Sequence, residues 1–396
     1  MITRGLVVAL SLSQFVCWGI SYYLIAVFGV EISRDLDWPM TVVYGGFSGA
    51  LVIMGLVSGR VGRWVDRYGG RRVMCAGSVL IAIGCLGLSQ AQGFILYGLS
   101  WACLGLAMRM TLYEAAFASL ARIGGPGARR PISQVTLLGG LASTAFWPIG
   151  YGLISLVGWR GALIAYALIA LLTLPLHWSI PDGRHETSQA GGQKHPPPLA
   201  QSLADKRAAS FLYMAMVTVS SFLNSAMSAH MISIMAYLGM SAGIAVWLSS
   251  LRGVGQSSAR LCEIIFGGRL HPLALGVLAT AILPASFLLG VGASGSALAG
   301  ASFAFAYGAS NGLITIIRGT QPLVLFDPRS YGALVGQLTA PSFISSALAP
   351  IAYAALIETA GAANALILSA VLGGVVFLSA LLLWGRFHAR AASQAG

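Results

Sequence analysis

The sequence is poor in charge. Charged residues make up 9% of its 396 positions and only 11 are acidic, whereas 57% are hydrophobic and the mean hydropathy is +0.81. A soluble fold of this composition would lack the polar residues that its surface needs. Apolar runs near the ~20 residues that cross a bilayer recur along the chain. We therefore predict an all-α polytopic membrane protein, because backbone groups in lipid have to be hydrogen-bonded within their own segment.

Signatures of several chemistries are also missing. The five cysteines have neither metal-ligand nor disulfide spacing, no lysine follows a glycine as a phosphate-binding loop requires, and there is no His-Glu-x-x-His pattern. We therefore expect no metal, no cofactor, no nucleotide and no enzymatic activity. The net charge of +12 does not indicate nucleic acid as a partner, because most of the Lys and Arg residues fall on the loops of one side of the membrane.

What the chain does have is a series of apolar spans separated by short loops. We number these spans 1 to 12, and they lie near residues 5–30, 41–58, 73–90, 94–119, 130–156, 161–178, 209–238, 242–259, 272–291, 297–325, 332–357 and 362–385. The long hydrophilic segment 179–208 reads as a flexible linker. It divides the chain into a six-helix bundle over 1–178 and a second over 209–396, the latter with a short tail.

The positive charges give the orientation. With the N-terminus in the cytoplasm, all but five of the 23 Lys and Arg residues fall on cytoplasmic loops and tails. Arg34 and Arg160 fall outside, and Arg109, Arg252 and Arg318 fall within spans. Both termini are therefore predicted to be cytoplasmic. The compact loops and the composition rich in Ala, Gly and Arg suggest a bacterial inner membrane.

The two halves have related sequences. Pro148-Ile149-Gly150-Tyr151 in span 5 matches Pro350-Ile351-Ala352-Tyr353 in span 11, and Gly69-Gly70-Arg71 after span 2 matches Gly267-Gly268-Arg269 after span 8. Gly105-Leu106 in span 4 corresponds to Gly312-Leu313 in span 10. The matches keep their order and have similar offsets. Such internal repeats build pseudo-symmetric transporters with a site between the halves.

The loop between spans 2 and 3 carries the most specific motif, Gly-x-x-x-Asp-Arg-x-Gly-x-Arg-Arg, formed by Gly62, Asp66, Arg67, Gly69, Arg71 and Arg72. In motif and position it resembles the major facilitator superfamily, and Gly158-Trp159-Arg160 before span 6 is a further common feature of that family. The resemblance covers the whole chain. It implies twelve helices in two six-helix halves, alternating access, a monomer, and a gating role for this loop, with Asp66 paired to a basic residue or a helix N-terminus in the same half.

Two positions depart from the family's proton antiporters. Trp101 stands where an arginine of span 4 is often found, and Trp147-Pro148-Ile149-Gly150-Tyr151-Gly152 matches only part of the antiporter motif of span 5. Both departures weaken a drug/proton antiport interpretation. The resemblance also includes monocarboxylate and oxalate porters, in which arginines recur in helix 8.

Candidate binding residues lie where polar side chains enter the spans, since ionisable groups at that depth usually face a cavity or a partner. By helical spacing they form stripes on spans 1, 4, 7, 8 and 10, which the resemblance places around or close to the central pathway. The predicted substrate-binding residues are Arg252, Arg318, Arg109, Asn311, Gln14, Trp18, Tyr22, Asn224 and Gln256.

The charge balance within the spans favours an anionic substrate. The spans contain three arginines but only one deep acid, Glu114. An arginine cannot lose its proton to escape burial. A guanidinium suits a carboxylate through paired hydrogen bonds. The alternatives are that Arg109 and Arg318 snorkel to the headgroups, and that Arg252 pairs internally with Glu263 or a carbonyl.

We therefore predict a secondary porter for a small organic anion such as a monocarboxylate, coupled to protons. Glu114 is a candidate proton carrier or an ion-pair partner for an arginine, and His230 is a candidate for proton coupling or is simply packed. The alternative is an efflux porter for drugs or toxic metalloids. A remote alternative is a membrane enzyme or receptor, which rests on His177 and Asp182, spaced as in membrane acyltransferases, and on the long loop.

Overall fold

The computed structural model describes residues 2–184, 197–266, 270–293 and 295–395. Across these ranges the chain is almost entirely helical and forms no β-strand, which confirms the all-α prediction. The second copy of the glycine-arginine repeat, Gly267-Gly268-Arg269, lies outside the described residues, as does the middle of the linker.

The helices of the first half follow the predicted spans. Span 1 is Arg4–Cys17, a π-helical turn Trp18–Tyr22, and Leu24–Leu36. Span 2 is Met40–Tyr68, span 3 is Gly70–Ser89, and span 4 consists of Phe94–Thr111 and Tyr113–Gly124. Span 5 consists of Arg129–Gly139 and the first part of Ala142–Leu171. Span 6 consists of the rest of that helix and Leu174–Trp178.

In the second half, spans 9 and 10 have the predicted bounds, whereas spans 7, 8, 11 and 12 begin earlier or run longer than predicted. Span 7 is Leu203–Tyr237, so the last residues of the predicted linker are helical. Spans 8, 9 and 10 are Ala242–Phe266, Pro272–Val291 and Ala297–Leu325, and spans 11 and 12 share Tyr331–Ala395. Serine caps open spans 7 and 10, where Ser202 and Ser296 accept backbone N–H groups three residues on.

Within the described residues, nine apolar helical stretches are long enough to cross a bilayer. This number is compatible with twelve spans. The stretches Phe94–Gly139, Ile149–Trp178 and Pro328–Ala391 each take in parts of two spans, and the charged span 8 is not apolar enough to count.

Glycines divide the long helices at equivalent places. Gly158 between spans 5 and 6 has φ 68° and ψ 169°, and Gly361 between spans 11 and 12 has φ 85° and ψ 163°. Both lie in a region of backbone space that is essentially reserved for glycine. The same break therefore occurs at the same point of each half, as the sequence repeat requires.

The chain divides into two compact units. The first holds spans 1–6 together with Pro328–Ala340, and the second holds spans 7–10 together with the chain from Pro341 onward. In the first unit, a Cβ on Gly105 of span 4 would lie 2.5 Å from the carbonyl oxygen of Ala50 in span 2. In the second, a Cβ on Gly312 of span 10 would lie 2.5 Å from the carbonyl oxygen of Gln256 in span 8. Equivalent glycines thus allow equivalent pairs of helices to touch.

Candidate binding site

Three helices of the second unit meet at one polar cluster, formed by Asn224 of span 7, Arg252 of span 8 and Asn311 of span 10. The Nη2 of Arg252 donates to Oδ1 of Asn224 at 2.6 Å, and the Nδ2 of Asn311 donates to the same oxygen at 2.8 Å. The Arg252 guanidinium also lies over the ring of Tyr307, 5.4 Å from its centroid. Both asparagines and the tyrosine ring are neutral, so they hold the guanidinium in place without cancelling its charge.

Close helix packing fixes the position of this cluster. Gly308 and Gly312 are one turn apart on span 10, and each faces the backbone of span 8: Gly308 at the carbonyl of Arg252, Gly312 at that of Gln256. Such small-residue pairs let two helix backbones approach closely in a membrane. The backbone that carries Arg252 is therefore held against span 10.

Arg252 has no carboxylate partner among the described residues. Its one hydrogen bond is to Asn224, and Glu263, the partner considered from the sequence, is not within ion-pair distance. Glu263 is nevertheless 7% exposed, and Arg260 is also buried. Span 8 continues to Phe266 rather than ending near residue 259, so both groups lie within the helix.

The structure places Arg318 and His230 outside this cluster. Arg318 follows Asn311 by two helical turns, roughly 10 Å along the axis, and its guanidinium lies over the ring of Phe343 at 5.5 Å. The Nε2–H of His230 donates to the carbonyl oxygen of Pro350 at 2.8 Å. Gln256 lies one turn beyond Arg252 and is half-buried.

In the first unit, Gln14 and Trp18 lie beside a break in span 4. The side-chain Nε2 of Gln14 donates to the carbonyl oxygen of Thr111 at 2.7 Å. Thr111 is the last residue before the helix breaks at Leu112. Gln14 is fully buried and so compensates a carbonyl that the break releases. The ring of Trp18 packs against Tyr22 and Tyr113, with centroids 4.8 and 5.0 Å away.

Arg109 is buried inside the first unit. Its side chain is 1% exposed, and its Nε donates to Oγ of Ser58 in span 2 at 2.8 Å. The guanidinium therefore does not snorkel to the surface. Glu114 is also buried and lies in the first turn of Tyr113–Gly124, where a negative charge is favoured by the helix dipole.

The segment predicted as a loop between spans 2 and 3 is helical to Tyr68, and its last turns contact the start of span 11. The Oδ1 and Oδ2 of Asp66 accept the backbone N–H groups of Gly332 at 3.0 Å and of Ala333 at 2.7 Å, all within the first unit. Gly62 lies so close to the carbonyl of Gly332 that a Cβ would collide with it. The partner of Asp66 is thus a helix N-terminus, but from span 11 rather than from the first six spans, where the resemblance placed it.

The remaining motif residues have separate roles. Gly69 ends span 2 with φ 84°, a conformation suited to glycine, and Arg67 lies over the ring of Tyr68 at 5.3 Å. Arg71 donates from Nε to the carbonyl of Ile180 at 2.7 Å and pairs with Asp182 at 3.3 Å. Arg72 is exposed at the start of span 3.

We expect Asp66→Asn to destabilise the protein by about 1–3 kcal/mol. The asparagine side chain has a single oxygen, so it can accept only one of the two backbone N–H groups, and its NH2 group would face the other N–H. Asp182→Asn is the matched control. Its carboxylate is 51% exposed in a surface ion pair, so its loss should cost less than about 1 kcal/mol. Thermal unfolding of the purified variants measures both. Equal shifts for the two would contradict this role of Asp66.

The residues behind the enzyme alternative do not form a site. His177 is fully buried, and its Nδ1 lies 2.8 Å from Oγ of Ser78, which contacts Thr173 at 2.7 Å. Asp182 pairs instead with Arg71 at the surface. The His-x-x-x-x-Asp spacing is therefore explained by packing, and the described residues hold no group of three or more His, Cys, Asp or Glu side chains suited to a metal.

Comparison with known families agrees with this architecture. The family model of the Major Facilitator Superfamily matches residues 10–336, which is most of the chain. The chain belongs to the major facilitator superfamily. It is therefore a multi-pass integral membrane protein and a secondary transporter of small molecules that works by alternating access.

Solved structures show the same fold at low sequence identity. The fucose transporter FucP in its outward conformation has a TM-score of 0.72 at 14% identity, with 96% of this chain and 99% of that chain covered. The human organic anion transporter MFSD10 gives 0.69 at 16% identity, covering 95% and 99%. The proton:xylose symporter XylE, bound to 6-bromo-6-deoxy-D-glucose, gives 0.72 at 13% identity, covering 96% and 95%. No curated protein sequence matches the chain.

Sequence reasoning missed three residues that shape the site. Tyr307 is not among the predicted binding residues, yet its ring lies under Arg252. Gly308 was not considered, although the Gly-x-x-x-Gly spacing with Gly312 is a known signal for close helix pairs. Ser58 gave no signal, because a serine at the end of an apolar run has no distinctive neighbours.

Proposed function

We propose that this transporter moves a small organic anion, such as a monocarboxylate, and that Arg252 is its principal ligand. The observation behind the proposal is a guanidinium at the middle of span 8 whose fixed partners are all neutral. A buried or half-buried cation without a counter-ion is costly in a membrane, and arginine cannot relieve the cost by losing its proton. A substrate carboxylate would supply the missing charge.

The surrounding residues suit this role. Asn224 holds one edge of the guanidinium through Nη2, and Asn311 in turn holds Asn224. The guanidinium remains partly accessible, so N–H groups are left for a ligand. The planar fork of an arginine matches the two oxygens of a carboxylate. Gln256, one turn away, could bind another polar group of the same substrate.

Arg318 and the buried groups of the first unit are proposed in secondary roles. Arg318 would attract the anion along its path, since it lies on the same helix as Asn311. Gln14 and Arg109 already have structural hydrogen bonds, so we assign them to shaping the first unit. Trp18 and Tyr22 would offer an apolar surface within the first unit.

We further propose coupling to protons, with Glu114 as the carrier. It is a buried carboxyl group on span 4, and a carboxyl group can bind and release a proton. The distribution of Lys and Arg supports cytoplasmic termini, and the proposed location is a bacterial inner membrane.

Thermal stabilisation of the purified protein by a panel of ligands tests the proposal, because a ligand that binds only the folded state raises its apparent stability. We expect small carboxylates to stabilise the wild type and neutral or cationic compounds not to. Asn224→Asp should reduce the affinity for the carboxylate at least about tenfold, since the new carboxylate would pair with Arg252 in place of the substrate.

Each other outcome has a definite meaning. Stabilisation by neutral or cationic compounds alone, unchanged in Asn224→Asp, would overturn the anion proposal. It would favour efflux of drugs or metalloids, with the aromatic cluster of Trp18, Tyr22 and Tyr113 as the binding surface. Carboxylate binding that Asn224→Asp leaves intact would place the anion away from Arg252.

A further inference from the structure

The last turns of span 2 carry three exposed arginines on one face. Arg60, Arg63 and Arg67 are separated by three and four residues, which puts them in line along the helix. We call them the arginine stripe. Trp64 and Tyr68 flank it and are 39% and 44% exposed.

The stripe lies on the opposite side of the helix from its packed face. Val61 and Val65 are fully buried, and Gly62 and Asp66 contact the start of span 11. Asp66, the one acidic residue of this stretch, is thus turned away from the stripe and engaged by two backbone N–H groups. The carboxylate of Asp66 is therefore not a counter-ion for the stripe.

The stripe has no counter-ion within the part of the chain that the structure describes. Arg60 and Arg63 make no hydrogen bond or ion pair there, and Arg67 contacts only the ring of Tyr68. The neighbouring Arg71 differs, because Asp182 and the Ile180 carbonyl satisfy it. Three adjacent positive charges that repel one another and have no partner in the protein call for an anion from outside.

The residue before the stripe indicates where that anion comes from. Leu56, one turn before Arg60 on the same face, is 62% exposed. A membrane helix whose exposed face changes from leucine to arginine, tryptophan and tyrosine passes at that point from hydrocarbon to headgroups. Guanidinium groups bind phosphate oxygens in pairs, and the aromatic rings suit the headgroup layer.

We propose that the arginine stripe binds an anionic phospholipid of the adjoining leaflet. The guanidinium groups hold the phosphate and the negatively charged headgroup, Trp64 and Tyr68 pack at the level of the glycerol backbone, and an acyl chain runs along Leu56. This inference is independent of the substrate and of its binding to Arg252.

Native mass spectrometry of the purified full-length chain tests the site with two probes of identical acyl chains, phosphatidylglycerol and phosphatidylcholine. We expect the wild type to bind the anionic lipid at least about tenfold more tightly, since each arginine near a membrane surface contributes appreciably to the attraction. The triple variant Arg60→Gln/Arg63→Gln/Arg67→Gln should lose most of that preference, and Arg→Lys at the same three positions should keep most of it.

A second triple variant separates a site from net charge. Arg4, Arg130 and Arg207 are exposed but are not in line with one another, and changing them to Gln removes the same charge. This control should keep the preference for phosphatidylglycerol. Equal loss in both triple variants, absence of any preference in the wild type, or equally tight binding of soluble glycerol 3-phosphate would overturn the proposal. Single Gln variants, each with an intermediate loss, provide the same test if the triple variant does not fold.

Discussion

The Arg252→Ala variant is expected to insert and fold normally but to lose anion transport at least about a hundredfold, because a carboxylate held by two charge-assisted hydrogen bonds would lose both. Uptake of the stabilising carboxylate into proteoliposomes measures this directly. The loss should come from binding, so raising the substrate concentration would restore part of the rate. Asn224 and Asn311 remain to satisfy each other, which limits the structural damage.

Two further variants make this result specific. Arg252→Lys keeps the charge but not the planar fork, and should retain a fraction of the activity. Arg34→Ala removes an arginine whose side chain is 71% exposed and paired with Glu31, and should transport normally. Transport by Arg252→Ala at the wild-type rate, in protein shown to be folded, would remove the main support for an anion substrate.

The fold was largely predictable because each helix and each loop is determined by the residues of one short stretch of sequence. Each span needs a run of apolar residues of bilayer length, and each loop needs charge or glycine, so both are visible in a single stretch of sequence. The breaks at Gly158 and Gly361 follow the same logic, since the residue at each break has a backbone conformation that only glycine adopts readily.

The ends of the helices were less predictable. Span 8 contains Arg260 and Glu263, whose charges imitate the end of a membrane segment, yet the helix continues to Phe266 and buries both. Hydropathy cannot distinguish a charge in solvent from one enclosed by neighbouring helices. The same ambiguity affects Glu263, which the predicted bounds of span 8 leave outside the helix.

The site was predictable as a set of residues but not as a set of partners. Helical spacing selected Asn224, Arg252 and Asn311 separately, and only the tertiary structure shows that one oxygen of Asn224 accepts both of the other groups. The partner of Asp66 lies more than 260 positions away along the chain, at Gly332 and Ala333. No periodicity in the sequence encodes such a contact.

The partners of Arg252 also explain how a charge can remain available in a membrane protein. A carboxylate partner would have neutralised the guanidinium and blocked its use. An amide acceptor and an aromatic face stabilise it more weakly, and both leave the charge for a ligand. The neutral surroundings are thus as informative about function as the arginine itself.

Gly308→Ala should lower the stability of the protein by about 1–3 kcal/mol and weaken carboxylate binding about tenfold, because the added methyl group would overlap the backbone of Arg252 and force spans 8 and 10 apart. Thermal unfolding and ligand titration of the same sample measure the two effects together. The matched control is Gly253→Ala, next to Arg252 on span 8, where a Cβ meets nothing within 4 Å. That change should leave binding intact and leave stability unchanged or slightly raised, since alanine favours the helix over glycine. If Gly308→Ala binds the carboxylate as tightly as the wild type does, the position of Arg252 cannot depend on this helix contact.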